Sequence, residues 1–92
     1  MDLNELRQKI DSIDDNLVRL FEQRMDVSGE IALYKLAHNL PVHDPAREQQ
    51  KLHNLSQKVK KENETYITSL YSLLFELSRA SQERIINTGK TN

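Results

Sequence analysis

LVRLFEQRMDVSGEIALYK, residues 17–35, decides the fold. Counted outward from this stretch in alternating steps of three and four, Leu3, Leu6, Ile10, Ile13, Leu17, Leu20, Arg24, Val27, Ile31 and Tyr34 fall on one line, and nine of these ten are apolar or aromatic. That spacing predicts one amphipathic helix over about residues 3–37 with a coiled-coil-like seam. At 1.5 Å per residue it is about 50 Å long, more than a small domain needs, so the seam asks for a second copy to pack against. Gly29 costs on the order of 1 kcal/mol against alanine, but the pattern resumes at Ile31 and the helix reads as continuous. Arg24 interrupts the seam, and a guanidinium in that position needs an anionic partner.

Beyond the helix, HNLPVHDP (38–45) stops it, because Pro41 and Pro45 each bias the preceding residue away from helical geometry. Asp44 followed by Pro45 restarts a helix as N-cap and first helical residue. This second helix reads over about residues 45–61 and carries only Leu52, Leu55 and Val59 as apolar anchors. Asn63 is the expected cap of a third helix over about residues 64–87, with Ile67, Leu70, Leu74, Leu77 and Ile85 as its stripe. The tail TGKTN reads as polar and frayed. With two Gly, two Pro and scattered β-branched residues, the expectation is a single all-α domain over 1–92: a long helix, a short one and a third.

The 13 basic and 14 acidic residues are interleaved along 92 positions. Without a concentrated basic surface, nucleic acid is not an expected partner. The densest basic run, KVKKE at 58–62, reads as complementing a helix C-terminus. No Cys is present, so there is no disulfide or thiol chemistry, in keeping with a cytoplasmic protein. The charged N-terminus and the lack of an apolar run of roughly 20 residues give neither signal peptide nor membrane span. His38, His43 and His53 lack the spacing of a zinc site, and no metal is expected.

The chemistry lies in the polar residues set against apolar faces. Arg24 and Lys35 are eleven residues apart, which puts them within about 20° of each other on the first helix. Arg7, seventeen residues before Arg24, is turned by about 100° onto another flank, where in a dimer of long helices it can face the partner's site. Ser78 and Gln82, spaced i, i+4, edge the stripe of the third helix, and Arg47 and Glu48 stand in the first turn of the second. Each has a plainer reading: Arg24 as an interhelical ion pair, Lys35 as a dipole cap, Arg7, Arg47, Glu48 and Gln82 as solvated groups, Ser78 as a packing hydroxyl. Together they offer several cations, few anions, no thiol and no catalytic histidine, a composition suited to binding a small polyanion.

LRQKIDSID, the Arg24–Lys35 spacing with IALYK leading into the lysine, VHDPAREQQ, and YITSLYSLLFELSRASQ together resemble, in order and over nearly the whole chain, the all-helical chorismate mutases. The resemblance implies an intertwined homodimer of three-helix chains with two equivalent sites. It also implies a cofactor-free isomerase that converts chorismate to prephenate in the shikimate pathway of aromatic amino-acid biosynthesis. Matched motif to motif, it assigns Arg7 in trans to the enolpyruvyl carboxylate, and Arg24 with Ser78 to the ring carboxylate. Lys35 falls beside the enolpyruvyl carboxylate and the ether oxygen, with Gln82 as that oxygen's second donor. Asp44, through its backbone, and Glu48 fall on the ring hydroxyl, with Arg47 beside them. Gly29 and a short segment between the second and third helices depart from the pattern outside the matched positions, and the chain resembles a monofunctional enzyme. An isochorismate pyruvate lyase of the same fold, or a non-catalytic helical dimerisation module, are the alternatives.

Overall fold

The computed structural model describes residues 1–91, and every regular element among them is helical. Helix α1 spans Leu3–His38, α2 spans Pro45–Ser56, a 3₁₀ turn spans Lys61–Asn63, and α3 spans Glu64–Thr91. The expected three-helix all-α architecture is therefore present.

The ends of the elements follow local chemistry. The Asp2 side chain caps α1, accepting from the Glu5 N–H at 2.9 Å. The helix runs through Gly29 unbroken and stops where Asn39 turns into the left-handed region at φ 54°. Asparagine tolerates that conformation, and the Leu40 N–H then bonds the Lys35 carbonyl at 2.9 Å. Pro41 follows a stop already made. Asp44 caps α2 as expected, its carboxylate accepting from the Arg47 N–H at 3.1 Å, with Pro45 at the first helical position.

Two boundaries differ from the sequence reading. α2 ends at Ser56 rather than near 61, with the Ser56 hydroxyl donating to the His53 carbonyl at 2.7 Å. A helix continued to 61 leaves two residues in which to turn back, whereas the observed ending leaves residues 57–60 and the 3₁₀ turn for the reversal. Asn63 is accordingly not the cap of α3. It closes the 3₁₀ turn, its N–H bonded to the Lys60 carbonyl at 2.8 Å. At the other end α3 continues past 87 to Thr91, with the Thr88 hydroxyl bonded to the Arg84 carbonyl. Gly89 there lies so close to α1 that an added Cβ would stand 2.7 Å from Leu36 Cδ2. Asn92, the last residue of the expected frayed tail, lies outside the described residues.

Cross-helix pairs climb together, Arg24 with Ser78, Ser28 with Gln82 and Leu36 with Gly89, so α1 and α3 run parallel. α2 lies against α3 and is tied to it by Glu48 and Arg79. The buried apolar residues are few: Ala32, Phe75 and Ile86. All nine apolar members of the α1 seam, from Leu3 to Tyr34, are exposed in the single chain, which measures 56 × 27 × 14 Å. A fully buried large apolar side chain contributes about 1.5–3 kcal/mol, so this inner core offsets only a small part of the entropy of ordering the chain.

Candidate functional site

The best-packed part of the molecule is polar. Ser28, Ser78 and Gln82 are 5%, 8% and 7% exposed, as buried as the apolar core beside them. Arg24, Ser28 and Lys35 stand at i, i+4 and i+11 on one face of α1, opposite Phe75, Ser78 and Gln82 on α3. With the N-terminus of α2 they enclose a cavity of about 540 Å³, also lined by Val42, Asp44, Arg47, Glu48, Lys51 and Arg79.

Arg24 is half-buried over Tyr71 and Phe75, its guanidinium carbon 5.8 and 6.0 Å from the ring centroids. Its Nη1 donates to Ser78 Oγ at 2.6 Å. Lys35 Nζ donates to the Val42 carbonyl at 2.8 Å and to Gln82 Oε1 at 3.3 Å, and Gln82 Nε2 donates to Ser28 Oγ at 2.8 Å. One line of hydrogen bonds thus holds Lys35 and Gln82 in place, with one Gln82 amide hydrogen uncommitted. Among the described residues neither Arg24 nor Lys35 makes an ion pair within the chain, and no buried side-chain nitrogen or oxygen lacks a partner. Rings, a hydroxyl, a carbonyl and an amide hold these two cations, and their charge remains available to something in the cavity.

The wall carries five cations, Arg24, Lys35, Arg47, Lys51 and Arg79, against two acids. Both acids have partners. Asp44 caps α2, and Glu48 accepts from Arg79 Nη1 at 2.6 Å on each of its oxygens. The N-terminus of α2 adds the positive end of its dipole to the same wall. The arrangement suits a compact anion with at least two negative groups, bound by fixed charges and hydrogen bonds. No group of three or more His, Asp or Glu side chains that could hold a metal ion occurs among the described residues.

Seven of the eight residues expected from the sequence, Arg24, Lys35, Asp44, Arg47, Glu48, Ser78 and Gln82, line this cavity. Arg7 does not. It is exposed on α1, about 25 Å along the axis from Arg24 at 1.5 Å per residue, beyond the reach of its side chain. Three polar lining residues escaped the sequence reading. Ser28 is four residues after Arg24, Lys51 three after Glu48, and Arg79 three before Gln82, so helical spacing from the known members was the signal that could have found them.

The family model described as chorismate mutase type II matches residues 6–83. A bifunctional chorismate mutase/prephenate dehydratase of Buchnera aphidicola subsp. Schizaphis graminum is 36% identical over 88 residues, covering 94% of this chain and 23% of that protein. The Escherichia coli protein described in the same words is 32% identical over 83 residues, covering 88% and 22%. A chorismate mutase of Methanocaldococcus jannaschii is 28% identical over 86 residues, covering 91% of this chain and 87% of that protein. The chain spans about a quarter of the length of the bifunctional relatives. No solved structure matches it significantly. No helix among the described residues is long and apolar enough to cross a membrane.

Proposed function

Because this chain belongs to the chorismate mutase type II family, we propose that it catalyses the rearrangement of chorismate to prephenate, as a cytoplasmic homodimer serving aromatic amino-acid biosynthesis. The observation that carries the reading is the pair Arg24 and Lys35, two cations on one cavity wall with no carboxylate partner within the chain among the described residues. In the reaction one carbon–oxygen ether bond breaks as one carbon–carbon bond forms, with no proton transferred and no covalent intermediate. A protein accelerates such a step by holding the flexible dianion with its reacting carbons close, and by placing positive charge where the ether oxygen becomes more negative.

Arg24 and Ser78 take the ring carboxylate. Lys35, held by Val42 and Gln82, faces the enolpyruvyl end, and its bond to the ether oxygen strengthens as charge develops there. Gln82 supplies the second donor through its uncommitted amide hydrogen. The Asp44 carboxylate is engaged in capping, so that residue serves the ring hydroxyl through its backbone, with Glu48 as acceptor and Arg47 alongside.

The homodimer has separate support. The exposed seam of α1 is the surface a second copy would cover, and Arg7 stands too far up the helix to serve its own cavity. The test is a spectroscopic assay of chorismate loss with prephenate appearance, run beside isochorismate. Turnover of chorismate supports the reading. Release of pyruvate from isochorismate with chorismate untouched overturns it in favour of the lyase.

A further inference from the structure

Arg79 is given no role by the resemblance, yet it lines the cavity and holds one of its two acids. A carboxylate in a cavity for a dianion raises a difficulty. Glu48 repels the ligand, and it has the anion-binding cations of the same wall as alternative partners. Either effect weakens the site. The geometry of the Glu48–Arg79 pair bears on both. A single nitrogen, Arg79 Nη1, straddles the carboxylate at 2.6 Å from each oxygen, with the two side chains 31% and 23% exposed. His43 Nε2, 3.8 Å from Oε1, is too distant for a hydrogen bond. Each Glu48 oxygen keeps a further lone pair, so the paired carboxylate still accepts from a hydroxyl.

We propose that Arg79 is a positioning residue. By holding Glu48 against α3 it neutralises that charge, presents the carboxylate as a hydroxyl acceptor only, and keeps Lys35 and Arg24 free for the anion. This rests on the chorismate reading above. The role differs from a mere clamp between α2 and α3, because it acts through the charge of Glu48 and so has a distinct kinetic signature.

Steady-state kinetics on Arg79→Gln, Arg79→Lys, Glu48→Gln and the Arg79→Gln/Glu48→Gln pair test it. Loss of a hydrogen-bonded charge partner predicts that Arg79→Gln raises KM about ten-fold or more while kcat changes much less. Arg79→Lys should recover most of that loss, since one ammonium can reproduce a one-nitrogen contact. Adding Glu48→Gln to Arg79→Gln should lower KM again by removing the unpaired charge. A KM for Arg79→Gln equal to wild type overturns the proposal, as does a double variant no better than Arg79→Gln. Crystal structures of wild type and Arg79→Gln examine the same claim without turnover. In the variant Glu48 should leave α3 and pair with Lys35 or Arg24. A Glu48 that stays in place overturns the positioning role, whereas failure of wild type to consume chorismate overturns only the reading on which it rests.

Discussion

Between Leu3 and Leu20, α1 carries its seam with every side chain exposed, and Leu3, Leu6, Ile10, Ile13, Leu17 and Leu20 each keep about half of their surface open to solvent. Between Arg24 and Leu36 the same helix packs on α3, and the contacts there are largely polar: Arg24 to Ser78, Ser28 to Gln82, Lys35 to Gln82. The half whose hydrophobic seam is unbroken is thus the less buried, and the half in which Arg24 interrupts that seam is the better packed. An apolar face without cover implies a partner, and charges held by neutral groups imply a ligand. In the proposed homodimer one helix would serve both ends, with Arg7, in the uncovered half, completing a cavity built on the other half of a second chain.

The strongest challenge to that division is a charge placed in the uncovered half. Ile13→Asp should convert an assembly of twice the chain mass into single chains in sedimentation and abolish turnover. A variant that stays assembled and active means the seam does not join two copies. In the packed half, Lys35→Ala should lower kcat by about 10² to 10³-fold, the loss typical of one donor aimed at a developing negative oxygen. Retention of most of the rate would remove Lys35 from the chemistry.

Arg24→Lys keeps the charge but loses the planar, two-pronged contact, and kcat/KM should fall by about 10 to 100-fold. A near-normal value would mean that Arg24 acts as a simple point charge. Joining the halves, a mixture of inactive Arg7→Ala and inactive Lys35→Ala chains should recover about a quarter of wild-type activity, because half the dimers are mixed and one site in each is intact. No recovery once subunit exchange is demonstrated would disprove sharing. The smallest effect is expected at Gly29→Ala. The new Cβ would stand 3.4 Å from Ile85 Cδ1, an ordinary contact, so the gain in helix propensity should raise stability by about 0.5–1 kcal/mol, seen as a higher Tm. A lower Tm would show that α1 and α3 have no slack at this crossing.

The comparison also separates what was legible in the chain from what was not. Periodicity identified α1 and carried it through Gly29, and the Asp44–Pro45 pair marked the start of α2 to the residue. Seven of the eight expected residues line the cavity, six of them on helix faces that spacing defines and Asp44 at the cap of α2. The end of α2 and the role of Asn63 were not legible, since they depend on the room needed to reverse the chain. Spacing from Gln82 could have put Arg79 on the cavity wall, but its role was hidden for a related reason. Its meaning comes from Glu48, thirty-one positions away on another helix, and no spacing along α3 announces such a partner.

By itself the sequence determined an all-helical chain with a seam that asks for a partner and cations that ask for an anion, because periodicity and the cost of burying charge are local properties. Only the tertiary structure decided that α1 and α3 run parallel, that Ser28 braces Gln82 against Lys35, and that Arg79 restrains Glu48. Those are contacts between residues distant in the chain, and their geometry exists only after the helices have packed.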